Sequence, residues 1–170
     1  MLNFKQKLNK VNTFIFDVDG VLTDGKVLIM ENGEAVRNMN SKDGYALQLA
    51  RKKEYNVVFI SGGNNTAVKN VLKKSGIDSV YLNQNNKIEC YKNFIDLNNI
   101  SDEQVCYMGD DLPDFEVMSR VGVATCPKDA ATEIKNICCY VSPKKGGEGC
   151  IRDIIEQVMR LHGTWEISNW

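Results

Sequence analysis

Histidine is almost missing from this chain, which has only His162. No two of its six cysteines form a Cys-x-x-Cys pair. Zinc needs closely spaced cysteine and histidine ligands, so no zinc site is expected. Cys90, Cys106, Cys126, Cys138, Cys139 and Cys150 sit mostly in apolar runs and are expected as reduced, mostly buried thiols. No apolar run approaches the ~20 residues of a membrane helix. The first twelve residues are polar and lysine-rich and lack the apolar stretch of a secretion signal. A cytoplasmic protein without membrane contact is the expectation. Charge of one sign is also missing: 21 basic residues face 22 acidic ones, mixed along the chain. Such a surface offers no basic stripe for nucleic acid. There is no internal repeat, low-complexity tract or linker.

What remains is an ordinary globular composition over 170 residues, enough for one domain, 1–170, with a real core. Apolar strand-like runs alternate with amphipathic segments. Strands are expected at 13–17, 56–60, 79–82, 105–108, 121–124 and 139–141. Helices are expected at 43–53, 65–74, 87–97, from Pro113, at 130–135, and near the C-terminus with Ile151, Ile154, Ile155, Val158 and Leu161 on one stripe. Gly76 is suited to end the second of these. This alternation implies an α/β fold: a three-layer, Rossmann-like parallel sheet with helices on both faces. One segment breaks the rhythm. Residues 26–39 read as a protruding β-hairpin turning at Glu31-Asn32-Gly33-Glu34, inserted between the first strand and first helix.

Ligands of open α/β sheets bind beyond the carboxyl ends of the strands. After the first strand stand Asp17-Val18-Asp19. After the second stand Ser61-Gly62-Gly63. Lys87 follows the third, and Gly109-Asp110-Asp111-Leu112-Pro113-Asp114 follows the fourth. Carboxylates that close together need a proton or a cation. Magnesium prefers oxygen ligands and suits such a cluster. Ser61 can donate to a phosphate oxygen, Lys87 can supply a point charge, and the amides of Val18 and Asp19 can cradle further oxygens. Asp17 is the candidate nucleophile, since a carboxylate can form an aspartyl-phosphate. Asp19, two residues on, can approach the leaving oxygen as general acid and then take a proton from water. Gly20 lets the chain turn there. Taken singly, each piece reads as a turn, a cap or a solvated lysine; only their joint placement argues for a site.

Asp17-Val18-Asp19-Gly20-Val21-Leu22-Thr23-Asp24-Gly25, Ser61, Lys87 and Gly109-Asp110-Asp111-x-x-Asp114 together resemble the motifs of the haloacid dehalogenase superfamily, in order and over nearly the whole chain. The resemblance implies magnesium held by Asp17, the Asp19 carbonyl and Asp110, with Asp111 or Asp114 behind them. Members usually carry a cap domain, but here only the hairpin fills the first gap. Length and hairpin are similar to cap-less tetrameric members acting on 3-deoxy-D-manno-octulosonate 8-phosphate, a sugar phosphate. Lys42-Asp43-Gly44-Tyr45 and Asn85-Asn86-Lys87 share that look. That likeness implies a homotetramer joined through the 26–39 hairpin and a role in lipopolysaccharide precursor synthesis. Gly146-Gly147-Glu148-Gly149 opens the last helix and can bind an anion, so Gly147 with Arg152 are candidates for a sugar carboxylate, with Gly62 as a further contact. A flexible connection is the equal alternative for that turn. The tail, 163–170, with Trp165 and Trp170, either packs or reaches a neighbouring site. Gly63 stands where many relatives carry arginine, which leaves substrate contact from this loop open. Gly63 together with Asp43-Gly44-Tyr45 leans toward the eight-carbon substrate over the 9-phosphate of a nine-carbon sialic-type acid. A receiver domain would hold its acid pair and its phosphorylated aspartate on different strands. A non-catalytic module with this fold is the other rival, and the complete set of reactive residues argues against it.

Overall fold

The protein is described here as a computed structural model covering residues 3–166. Six parallel strands form its main sheet: β1 (Thr13–Phe16), β4 (Asn56–Ile60), β5 (Val80–Tyr81), β6 (Val105–Met108), β7 (Val123–Cys126) and β8 (Tyr140–Val141), in the order β5-β4-β1-β6-β7-β8. β1 is therefore central, flanked by β4 and β6. The chain winds first to one side of β1 and then to the other. That reversal opens a crevice at the carboxyl ends of β1 and β6.

Alternation along β1 assigns the two faces. Phe14 and Phe16 enter one buried cluster with Leu47, Leu72, Ile154 and Val158. Ile15 enters the other with Tyr91, Phe94, Val117 and Ile134. So α2 (Ser41–Lys52), α3 (Thr66–Lys74) and α7 (Cys150–Leu161) cover one face, and α4 (Lys87–Leu97), α5 (Phe115–Met118) and α6 (Thr132–Ile137) cover the other. Strands buried on both faces read as continuous apolar runs, which is why they were legible.

Some boundaries differ from the sequence reading. The fifth strand of the sheet begins at Val123, not Val121, because pairing starts where Val123 meets Cys106. Just before it, Gly122 packs on the backbone of Glu103 and donates its amide to the Asp102 carbonyl at 2.7 Å. A short helix, α1 (Phe4–Leu8), was not foreseen. Five residues are too few for periodicity. What holds it is a capping box between Asn3 and Gln6, with Phe4 stacked on Tyr140 at 5.2 Å. Leu161, expected on the apolar stripe of α7, is exposed. Among the cysteines, Cys106, Cys126 and Cys150 are buried, Cys90 and Cys138 half-buried, and Cys139 exposed; all are free thiols.

The hairpin is present: β2 (Leu28–Ile29) pairs antiparallel with β3 (Ala35–Val36), and a bridge between Thr23 and Met39 closes its base. Val27, Leu28, Ile29, Met30 and Val36 are all exposed, Ile29 by 67 %. A two-stranded hairpin with this much bare apolar surface is marginal on its own in water. Between β1 and α2 the described residues hold only this element and the turn before it.

Candidate active site

The site begins where β1 ends. The Asp17 amide donates to the Met108 carbonyl at 3.0 Å, so the last ladder bond delivers Asp17 to the sheet edge beside β6. Beyond it the chain turns sharply. Asp19 is extended, and Gly20 has φ +91°, the left-handed region. Gly20 is required twice over, since a Cβ there would also run into the Asp110 carboxylate. The first acidic turn and the β6 turn are thus fitted against each other backbone to side chain.

Each neighbouring strand adds to the same edge. Ser61 follows β4, buried, and its hydroxyl accepts the Gly63 amide at 3.1 Å. Lys87 opens α4 beside its cap Asn86 and is only 5 % exposed. Its ammonium lies 2.9 Å from Asp17 Oδ1 and 2.7 Å from Asp114 Oδ1. Asp114 is fully engaged. Its Oδ1 also accepts the Tyr107 hydroxyl at 2.6 Å, and its Oδ2 accepts the Asp110 amide at 3.3 Å. Asp111, exposed, caps the 3₁₀ turn Leu112–Asp114 through the Leu112 amide. Asp17, Asp19, Ser61, Gly62, Lys87, Asp110, Asp111 and Asp114 all border one cavity of about 310 Å³. The structure therefore brings together the acids, hydroxyl and ammonium that strand order alone had put on one edge. Val18, between Asp17 and Asp19 in sequence, is buried in the apolar core and does not line the cavity.

The charges in this cavity are frustrated. Burial, then the Asp114 charge, raises the Asp17 carboxyl to about 6, against the pull of Lys87. Burial, then Asp17 and Asp114, raises Asp110 to about 8. Lys87 is pulled down by burial, but Asp17 and Asp114 together more than offset that and hold it above its ordinary value. Carboxyl oxygens of Asp17, Asp110 and Asp114 lie within 4.8 Å of one another. Hard oxygens this close fit a divalent cation such as magnesium. Because the Asp114 oxygens already hold Lys87, Tyr107 and the Asp110 amide, Asp17 and Asp110 are the carboxylates left to face an ion.

Arg37 was missed in the sequence. From the end of the hairpin it forks onto Asp19, Nε to Oδ1 at 2.6 Å and Nη2 to Oδ2 at 3.1 Å. A lone arginine in a hairpin carries no motif. Only the Thr23–Met39 bridge, which folds the hairpin back over the Asp19 turn, brings it there.

Gly147 and Arg152 do not border the acid cavity. The Gly147 amide donates to the Val21 carbonyl at 3.0 Å, and a Cβ on Gly146 would strike the Gly20 carbonyl. The glycine-rich turn is thereby packed behind the Asp17–Gly25 segment. The Arg152 guanidinium lies over the rings of Tyr45 (5.7 Å) and Trp165 (5.4 Å) and bonds Glu156. Of the tail, Gly163 to Glu166 fall among the described residues; Trp170 lies outside them.

Asp43 closes the start of α7, accepting the Arg152 amide on Oδ1 at 2.7 Å. It is fully buried, and its Oδ2 has no hydrogen-bond partner among the described residues. Burial raises its carboxyl to about 6, opposed by the Arg152 and Gly149 amides. A folded-state value above the unfolded one of 3.8 means the folded chain holds the proton more tightly. That contribution is complete below about pH 4 and is lost as pH rises through about 6. Thermal melts of the native chain and Asp43→Asn should therefore diverge with pH. From pH ~7.5 to pH ~5 the native chain should gain about 1 kcal/mol, roughly 2–4 °C, relative to the variant. A pH-independent gap between the two would contradict it.

Comparison with known proteins gives consistent likenesses. A profile of the haloacid dehalogenase-like hydrolases matches residues 79–154. The 3-deoxy-D-manno-octulosonate 8-phosphate phosphatase KdsC of Escherichia coli K12 is 32 % identical over 157 residues, 92 % of this chain and 84 % of the relative. The crystal structure of the Yersinia pestis phosphatase of that name superposes with a TM-score of 0.92 at 29 % identity, covering 94 % of this chain and 86 % of that one. The Moraxella catarrhalis phosphatase, in complex with magnesium, phosphate and a KDO molecule, superposes with a TM-score of 0.89 at 25 % identity, covering 92 % and 90 %.

Proposed function

We propose, from the premise that this chain belongs to the haloacid dehalogenase-like hydrolases and is a phosphatase of that family, that it hydrolyses 3-deoxy-D-manno-octulosonate 8-phosphate by way of Asp17. The observation that carries the reading is Asp17 itself, held at the β1 edge 2.9 Å from the Lys87 ammonium, with Asp19 in the same cavity. The substrate choice rests on the likeness to the KdsC enzymes across nearly the whole chain.

Asp17 attacks phosphorus. The new carboxylate–phosphorus bond forms as the ester oxygen leaves, and Asp19 gives that oxygen its proton. Asp19 then takes a proton from water. The resulting hydroxide attacks phosphorus, and inorganic phosphate and the free Asp17 carboxylate are released. Lys87 favours the ionised, attacking form of Asp17 against its burial. Ser61 and the Val18, Asp19 and Gly62 amides hold the phosphate oxygens. Asp114 holds Lys87 and the Asp110 turn in place, with Asp111 at the rim. Asp17, Asp110 and the Asp19 carbonyl would hold magnesium, which when bound would supply charge neutralisation of the phosphate. Gly147 and Arg152 remain candidates for the sugar acid only if a second copy or a movement brings them to the cavity.

The same reading includes residues 1–170 as one domain and a homotetramer through residues 26–39, supported by the bare apolar hairpin. It also places the enzyme in the cytoplasm, in lipopolysaccharide precursor synthesis, on the strength of the substrate alone.

The deciding experiment is phosphate release from a panel: the eight-carbon and nine-carbon keto-acid phosphates and simple hexose phosphates, with magnesium and after chelation. The eight-carbon ester should give the highest kcat/KM, and chelation should abolish turnover. Equal rates across the panel would sink the substrate assignment. Undiminished rates under chelation would sink the metal. Light scattering of the same preparation should give four copies, and a monomer would refute the assembly.

A further inference from the structure

Arg37 stands at the seam between two spaces. On one side is the acid cavity, which Asp19 borders. On the other is a groove of about 490 Å³ between β3 and the start of α3. Asn64, Asn65 and Thr66 line that groove, which suits sugar hydroxyls, and among the described residues Arg37 is the only cation that lines it. Its side chain is 12 % exposed and makes a two-point contact with Asp19. A guanidinium fork fits any carboxylate in this way. While both Asp19 oxygens accept from Arg37, neither is free to deliver a proton to a leaving oxygen. A substrate that brings its own carboxylate offers Arg37 an equivalent partner. Gly63 leaves the other flank of Asp19 clear, since a Cβ there would already sit 3.3 Å from Oδ2.

We propose that Arg37 is the receptor for the substrate carboxylate, and that it exchanges Asp19 for that carboxylate on binding. The inference rests on the sugar-acid reading above. It makes Arg37 a specificity-determining residue. An acid ester releases Asp19 as it binds. An ester without a carboxylate leaves Asp19 paired, and turns over slowly even when it reaches the phosphate site.

Steady-state kinetics of native enzyme, Arg37→Met and Arg37→Lys test this with two substrates, the eight-carbon keto-acid phosphate and arabinose 5-phosphate, which has no carboxylate. In Arg37→Met the KM for the acid ester should rise roughly tenfold to a hundredfold, the loss of a charge-assisted two-point contact. kcat/KM for arabinose 5-phosphate should rise, because Asp19 is released. Arg37→Lys, which keeps the charge but loses the fork, should fall between native and Met. A merely structural role would lower both substrates together. An unchanged ratio of the two kcat/KM values in Arg37→Met, with native turnover of the acid ester intact, overturns the inference and leaves the function standing. Failure of the native enzyme to hydrolyse the acid ester overturns both.

Discussion

Asp17→Asn is expected to remove turnover of every phosphate ester, by about 10⁴-fold or more, while the protein stays folded. Losses on that scale follow when a nucleophile that cannot be bypassed is removed. The amide has the shape of the carboxylate but will not attack phosphorus. The fold should tolerate the change for a reason visible in the charges. Burial and Asp114 already disfavour an ionised Asp17, so a neutral side chain relieves part of that repulsion even as Lys87 loses one of its two partners. Asp19→Asn makes a contrasting variant. It should lose roughly 10²- to 10⁴-fold on sugar phosphates and less on an aryl ester, whose leaving group needs no proton. A phosphorylated protein trapped in Asp19→Asn and absent in Asp17→Asn would assign the two roles separately. Measurable hydrolysis by pure Asp17→Asn at more than a hundredth of the native rate would exclude Asp17 as the nucleophile.

Lys87→Met is expected to destabilise the protein heavily, so that its melt informs more than its lost activity. The ammonium lies between Asp17 and Asp114, and all three groups are buried. Removing one partner from a buried ionic set leaves uncompensated charge and typically costs about 3–5 kcal/mol. For a chain of this size that is roughly 10 °C or more in Tm. The deficit should depend on pH. Without Lys87 the folded Asp17 carboxyl rises further, so the folded variant binds more protons than its unfolded chain and its stability returns as pH falls. A melt at pH ~8 should thus show a larger gap to the native protein than one at pH ~5.5. Asp17→Asn/Lys87→Met should recover part of the loss, because the two sites share one interaction and will not add. A gap below about 1 kcal/mol at pH ~8 would mean that the ammonium is not what neutralises this cluster.

The strands of the sheet were legible because each is a short apolar run, and so were most helices, whose stripes match the core they cover. Boundaries set by long-range contact were not. The start of β7 waits on its register with Cys106, and α1, too short to show a period, needs the Phe4–Tyr140 stack beside its local capping box. The site divides the same way. Asp17, Asp19, Ser61, Lys87 and Asp110 follow strand ends, so strand order alone converges them. Arg37 belongs to a hairpin whose sequence says only that it is apolar and turns, and its grip on Asp19 depends on how that hairpin folds back. The glycine-rich turn 146–149 reads equally as an anion cradle or a flexible connection in one dimension, but in three it is the packing partner of the Asp17–Gly25 segment.

By itself, then, the sequence determined a parallel α/β sheet and the chemistry gathered at its edge, because periodicity and strand-end position are local properties that survive without a fold. Tertiary structure alone decided which charges touch. Lys87 binds two acids at once, Asp114 is consumed by its neighbours, Asp43 is a cap sealed in the core, and Arg37 reaches Asp19. Pairings of this kind depend on distances of a few ångströms between residues far apart in the chain, and no local pattern of residue types encodes them.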